Sequence, residues 1–121
     1  MKVLIMDDDS TVRAACRRMA AALGIEVVTT NDGSEALQEI ERARESGQPF
    51  DVCVLDLRVP GGMGGLETLK AIRDRSSCKR VVLMTGDLDH PAVRNWRKLG
   101  FNGTLLKPFT SSQFRDATMA K

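Results

Sequence analysis

Five side chains in this 121-residue chain could together handle a phosphoryl group: the carboxylates of Asp7, Asp8 and Asp56, the hydroxyl of Thr85 and the amine of Lys107. Each follows or ends a short apolar run. Lys2 to Met6 (KVLIM) runs into Asp7-Asp8-Asp9, Val52 to Leu55 into Asp56, Arg80 to Thr85 (RVVLMT) ends in the hydroxyl, and Gly103 to Leu106 leads to Lys107. Carboxylates packed together repel, and one pKa rises unless a cation neutralises them. An all-oxygen donor set with room for waters suits Mg²⁺. One histidine and three dispersed cysteines argue against zinc. With a metal bridging it to an incoming phosphoryl group, Asp56 reads as a nucleophile, while Lys107 pairs with one phosphoryl oxygen and Thr85 hydrogen-bonds another.

The elements that must position these groups are legible as alternating apolar runs and amphipathic stretches. After the first strand, Asp9 or Ser10 can cap a helix with Val12, Ala15, Cys16, Met19 and Leu23 at helical spacing and Gly24 as its stop. Ile25 to Thr29 is a second strand, Asn31-Asp32-Gly33 a turn, and Ser34 the cap of a helix carrying Ala36, Leu37, Ile40 and Ala43. The Asp56 strand follows. A glycine-rich loop, Gly61-Gly62-Met63-Gly64-Gly65, leads into a helix with Leu66, Leu69, Ala71 and Ile72. After the Thr85 strand and a Gly86 to Pro91 loop come a helix over Ala92 to Leu99, the Gly103 to Leu106 strand, and a short helix capped by Thr110 or Ser111.

Five strand-then-helix repeats whose strands are continuously apolar imply a parallel sheet covered on both faces. Right-handed crossovers make it doubly wound, a (βα)5 sandwich, and carry every strand's C-terminal end to one edge. That edge is where open α/β sheets bind ligands.

Composition sets the remaining bounds. The length fits one domain over residues 1–121, and 42% apolar with 28% charged residues is ordinary for a globular protein. No apolar run is long enough to span a membrane and the N-terminus lacks a signal-peptide layout, so the expectation is a cytoplasmic protein without a membrane partner. Cys16, Cys53 and Cys78 read as reduced structural thiols. At net charge +2, with basic residues scattered and no basic stripe, direct nucleic-acid binding is not expected.

These residues resemble the receiver domains of two-component response regulators over nearly the whole chain, from Lys2 to about Phe114. The family's acidic pair matches Asp7 and Asp8, its phosphoacceptor Asp56, its switch hydroxyl Thr85 and its Lys-Pro pair Lys107-Pro108. The resemblance implies a flavodoxin-like fold, Mg²⁺ held by Asp7, Asp8, Asp56 and the backbone carbonyl of Arg58, and a cis Lys107-Pro108 bond. It also implies a phosphoryl group taken from a sensor histidine kinase or a histidine phosphotransfer domain, then hydrolysed. Val59 to Gly65, Leu99 to Gly103 and Lys107-Pro108-Phe109 look most like receivers at the C-terminal end of hybrid sensor kinases. Two departures stand out: the 61–65 loop looks one residue longer than the family pattern, and Thr104 occupies the position of the switch Tyr or Phe.

Other readings compete. Asp7-Asp8-Asp9-Ser10-Thr11 fits the DxDxT nucleophile motif of haloacid-dehalogenase-type phosphatases, but that reading gives Asp56 no role and lacks the later acidic pair. A receiver-fold interaction domain that is never phosphorylated is weakened because no site residue is missing. Asp9 reads as a helix cap rather than a ligand, His90 as a loop or cap residue, and Trp96 as core.

Overall fold

The computed structural model describes residues 1–119 and contains five strands, β1 (Lys2–Met6), β2 (Glu26–Thr30), β3 (Val52–Asp56), β4 (Arg80–Thr85) and β5 (Gly103–Leu106). They form one parallel sheet in the order β2-β1-β3-β4-β5. Between and after them lie α1 (Ser10–Leu23), α2 (Gly33–Glu45), α3 (Gly65–Arg75), α4 (Pro91–Arg94), α5 (Trp96–Leu99) and α6 (Ser111–Met119). Among the described residues no helix is long and apolar enough to cross a membrane.

The strands are apolar on both faces because each face has its own layer of helices. Leu4, Met6, Cys53, Leu55, Val81 and Leu83 point to one side, where Ala36 and Ile40 of α2 and Leu69 and Ile72 of α3 cover them. Val3, Ile5, Val52, Val54, Val82 and Met84 point to the other, against Cys16 and Ala20 of α1 and Phe114 of α6. The two-residue period of a strand sorts neighbours into the two layers, so the winding follows from the alternation itself. All three cysteines are buried and free, and burial pushes the Cys16 thiol up to about 11.

Local structure departs from the sequence expectations at several points. The α2 cap is Asp32, not Ser34: its carboxylate accepts from Glu35 N–H at 2.9 Å, and Glu35 in return accepts from Asn31 N–H at 2.9 Å. This reciprocal arrangement satisfies helix-end donors that Ser34, two residues too far in, would leave unpaired. Gly33 is thereby the first helical residue rather than part of a turn. β2 sits one residue later than expected, in a register that pairs Met6 with Thr30.

The helix expected over Ala92 to Leu99 begins at Pro91 and breaks at Asn95, whose φ of −103° and ψ of 16° leave the helical region. Asn loses little by leaving a helix, and the segment has almost no apolar stripe to hold it straight, since Ala92 alone is buried. Leu66, expected among the apolar residues of its helix, is 39% exposed, and Leu99 at the end of the later segment is 42% exposed.

Arg73, near the C-terminus of α3, fastens the region below the site. Its guanidinium donates to Gly100 O at 2.7 Å, Cys78 O at 3.0 Å, Lys79 O at 3.1 Å and Asn102 Oδ1 at 2.7 Å. Arg73→Ala is expected to lower unfolding free energy by about 2 kcal/mol, the scale of hydrogen bonds to a charged group. Arg73→Lys should recover less than half, lacking the planar fork. Urea melts of the three proteins measure this.

Candidate functional site

Strand register builds the site. Met6 lies opposite Leu55, Asp56 opposite Met84 and Thr85 opposite Leu106, so Asp7, Asp56, Thr85 and Lys107 all emerge along the C-terminal edge. Lys107 is held there as its N–H donates to Thr85 O at 2.9 Å, continuing the β4–β5 pairing past the strand end. The Lys107-Pro108 bond is cis, as the resemblance implied.

Asp7 is completely buried. Its Oδ1 accepts from Asp9 N–H at 2.9 Å, and its backbone carbonyl accepts from Arg13 Nη1 at 2.8 Å. Its Oδ2 lies 2.6 Å from Lys107 Nζ in an ion pair whose angles fall outside ordinary hydrogen-bond geometry. The same ammonium stands 3.5 Å from Asp56 Oδ1. Asp8 is exposed at the rim, and one carboxylate oxygen from each of Asp7, Asp8 and Asp56 falls within 4.8 Å of the others.

Such crowding has an electrostatic price. Burial first, then the negative charge of Asp7, push the Asp56 carboxyl up from 3.8 to about 6, with Lys107 opposing and Asp8 adding to the rise. For Lys107, burial works to lower the pKa, but the hydrogen-bonding and charge contributions of Asp7 and Asp56 outweigh it and leave the amine above its ordinary value.

Three acids against one amine leave net negative charge in a partly dry site, and Asp7 Oδ2 lacks a directed partner. A small divalent cation answers both, and the all-oxygen donors fit Mg²⁺.

The hydroxyl of Thr85, 3% exposed, accepts from Asp87 N–H at 3.0 Å. Arg58 follows Asp56 by two residues, and its side chain leaves the carboxylates to pair with Asp87 at 2.9 Å across the site's mouth. Asp9 is the α1 cap, accepting from Thr11 N–H at 2.8 Å, and stands outside the acidic cluster. His90 caps α4, its Nδ1 accepting from Ala92 N–H at 3.0 Å. Thr104 is not brought to the edge: it pairs in register with Leu83, two residues short of Thr85, and is half-buried.

Sequence reasoning missed Arg13 and Asp87. The only local signals for them were Arg13's place one turn into the helix after the acids and Asp87's place two residues past Thr85.

Acids sharing one amine at the edge of a doubly wound sheet are the equipment of domains that accept a phosphoryl group onto aspartate. Residues 3–119 match the family described as the response regulator receiver domain. The chain is 32% identical over 119 residues to the chemotaxis protein CheY of Pseudomonas aeruginosa, covering 96% of this chain and 91% of that one. It is 36% identical over 107 residues to the DNA-binding transcriptional regulator NtrC of Escherichia coli, covering 88% of this chain but 22% of NtrC. The structure of the chemotaxis response regulator CheY4 of Vibrio cholerae superposes with a TM-score of 0.82 at 30% identity, over 98% of this chain and 95% of CheY4. The chain therefore belongs to the response regulator receiver domain family, whose members serve as phosphoacceptors in two-component signalling. Receiver domains bind Mg²⁺ at an acidic site and interact with histidine kinases or phosphotransfer proteins. The phosphatase alternative has no support in the geometry either, because it leaves Asp56 without a role although the carboxylate stands at the strand tip 3.5 Å from the Lys107 amine.

The raised Asp56 pKa fixes a pH dependence. The metal-free fold binds the Asp56 proton up to about pH 6, whereas an unfolded chain releases it near 3.8. Protonated Asp56 therefore stabilises the fold fully below about pH 4, and this contribution is lost as pH rises through about 6. In chelator, Asp56→Asn is expected to exceed the parent in stability at pH 7 by on the order of 1–2 kcal/mol, after allowance for solvent at the open rim, and by much less at pH 4. Denaturant melts at the two pH values check it; a constant difference between parent and variant would refute the assignment.

Proposed function

We propose that residues 1–121 form a single receiver domain in which Asp56 is the phosphoacceptor, Asp7, Asp8, Asp56 and the backbone carbonyl of Arg58 hold Mg²⁺, and Lys107 and Thr85 attend the transferred group. The observation that carries this reading is the placement of Asp56 at the tip of β3, 3.5 Å from the Lys107 amine and within 4.8 Å of two further acids.

In the transfer, an Asp56 oxygen forms a bond to phosphorus as the bond from phosphorus to a phosphohistidine nitrogen breaks, and the departing imidazole keeps the electron pair. Bound Mg²⁺ would supply positive charge against the phosphoryl oxygens. Lys107 offers an ammonium already drawn toward Asp56, and its raised pKa keeps it charged at neutral pH. Thr85 would exchange its contact with the Asp87 N–H for one in which its hydroxyl donates to the phosphoryl group. Water later attacks phosphorus and frees the carboxylate.

The donor is a sensor histidine kinase or a histidine phosphotransfer domain, and the exchange takes place in the cytoplasm. A groove of about 250 Å³ lined by Val12, Ala15, Met19, Pro108 and Phe109 opens beside Lys107, which suits an apolar helix face delivering its histidine to the site. A segment of the sensor kinase/phosphatase CqsS of Vibrio cholerae is 30% identical over 110 residues, in keeping with a receiver of the hybrid-kinase kind.

Acetyl phosphate with Mg²⁺ should add one phosphoryl group to the parent and none to Asp56→Asn, and chelator should abolish the addition. Intact mass spectrometry reads this, and full labelling of the Asn variant would end the assignment. Asp7→Asn and Asp8→Asn are each expected to weaken Mg²⁺ binding by about tenfold or more while leaving the fold as stable or more so, since each relieves repulsion. Calorimetric titration and thermal melts report both quantities.

Thr104 bears on the switch. Lacking the buried area of an aromatic ring, it cannot fill the space vacated when Thr85 turns inward. Beryllofluoride should therefore shift amide signals of the Gly86 to Pro91 loop and α4 at least twice as far as those of β5, and equal shifts would refute a muted switch.

A further inference from the structure

We propose that Gly33, the first residue of α2, is a positioning residue for the phosphoacceptor site, because it seats the loop that carries Arg58 away from Asp56. The proposal deepens the reading above and rests on it for the role of the Arg58 carbonyl.

The segment between β3 and α3 crosses to the N-terminus of α2. There Gly33 N–H donates to Met63 O at 2.8 Å. The space a side chain at position 33 would need is already filled: a Cβ built there would lie 2.0 Å from Thr68 Oγ1 and 2.7 Å from both Cγ and Sδ of Met63. Thr68, fully buried on α3, donates its hydroxyl proton to Gly64 O at 2.7 Å. Just before Met63, Gly62 N–H closes a turn onto Val59 O at 3.1 Å. Two residues past Met63, Gly65 lies directly on the strand tip, where an added Cβ would come within 2.7 Å of the Asp56 carbonyl oxygen.

Both pins fall at the α3 end of the loop, Met63 onto α2 and Gly65 back onto the backbone of Asp56, so the loop closes onto the strand tip it left. From sequence, four glycines in five positions read as freedom. In the fold Gly61 uses that freedom at a φ of 75°, while the missing side chains of Gly62, Gly64 and Gly65 let neighbouring segments close onto the loop, and the result is a seated loop. Metal sites depend on such outer supports to hold their ligands in place, and Gly33 supplies one that any side chain would displace. No other position on α2 approaches the loop through its backbone in this way among the described residues.

Gly33→Ala and Met63→Ala test the idea, the first by forcing a clash and the second by emptying the notch without one. Amide hydrogen exchange of residues 58–63 is measured in chelator, and Mg²⁺ affinity by titration at a temperature where each protein is folded. Gly33→Ala should weaken Mg²⁺ binding by about tenfold, the usual scale for outer supports, and speed exchange in the loop while β1, β3 and β4 keep their protection. Met63→Ala should produce both changes at smaller size. Parent-like Mg²⁺ affinity in both variants overturns the proposal, as does a loss of protection spread evenly over all strands with affinity unchanged, the signature of a structural role alone. If Gly33→Ala does not fold, Met63→Ala decides. Failure of the parent to label on Asp56 would instead remove the phosphoacceptor reading, and the exchange data in chelator would still report whether Gly33 seats the loop.

Discussion

One ammonium group set between two buried carboxylates governs the edge of this sheet. Lys107 Nζ lies 2.6 Å from Asp7 and 3.5 Å from Asp56. Removing that amine would leave two acids facing each other in a partly dry site, an arrangement that protonation or unfolding would have to relieve. The amine in turn constrains β5. A strand of four residues, exposed at Leu106, is held in register so that the residue after it arrives at the acids. The close pass of Lys107 over Gly86, where an added Cβ would meet its stem at 3.6 Å, belongs to the same arrangement. The compensation is incomplete, since three acids share one amine, and the remainder appears in the upward push on Asp56. Attraction for further positive charge is therefore built into the metal-free molecule.

The contacts above this edge bind its loops together in a chain. Arg58, just past the β3 tip, reaches Asp87, whose N–H is accepted by the Thr85 hydroxyl. The Arg58–Asp87 pair is solvent-exposed and contributes little to stability on its own. Its location is what counts: it joins the loop leaving Asp56 to the loop leaving Thr85.

The sheet and the acidic site were legible in the sequence because both rest on local pattern. Buried parallel strands write themselves as unbroken apolar runs, and the polar residue that ends each run marks the functional edge. Asp7, Asp56, Thr85 and Lys107 were all found that way. What was not legible depended on partners distant in sequence or on competition between near-equal local choices. Asp32 and Ser34 are both good caps, and the choice fell to Asp32, whose carboxylate holds the Glu35 N–H while Glu35 holds the Asn31 N–H. Arg13 and Arg58 look like any solvated arginine until the fold shows what they reach. The seating of the glycine loop was not legible because composition reports the freedom of the unfolded chain, and the fold consumes it.

The interruption at Asn95 has a thermodynamic consequence. Two single helical turns, each below the length at which a helix persists by its own cooperativity, follow directly after Thr85 and its loop. They are anchored by Ala92 and by the half-buried Trp96, and little else apolar is sequestered there. The restoring force that keeps this stretch in one arrangement is correspondingly weak, while the sheet beneath it is rigid. A single new hydrogen bond at the Thr85 hydroxyl, worth only a small multiple of thermal energy, is comparable with that restoring force. The molecule thus sets a soft surface patch beside a stiff chemical centre, and modest chemistry is enough to redraw the patch.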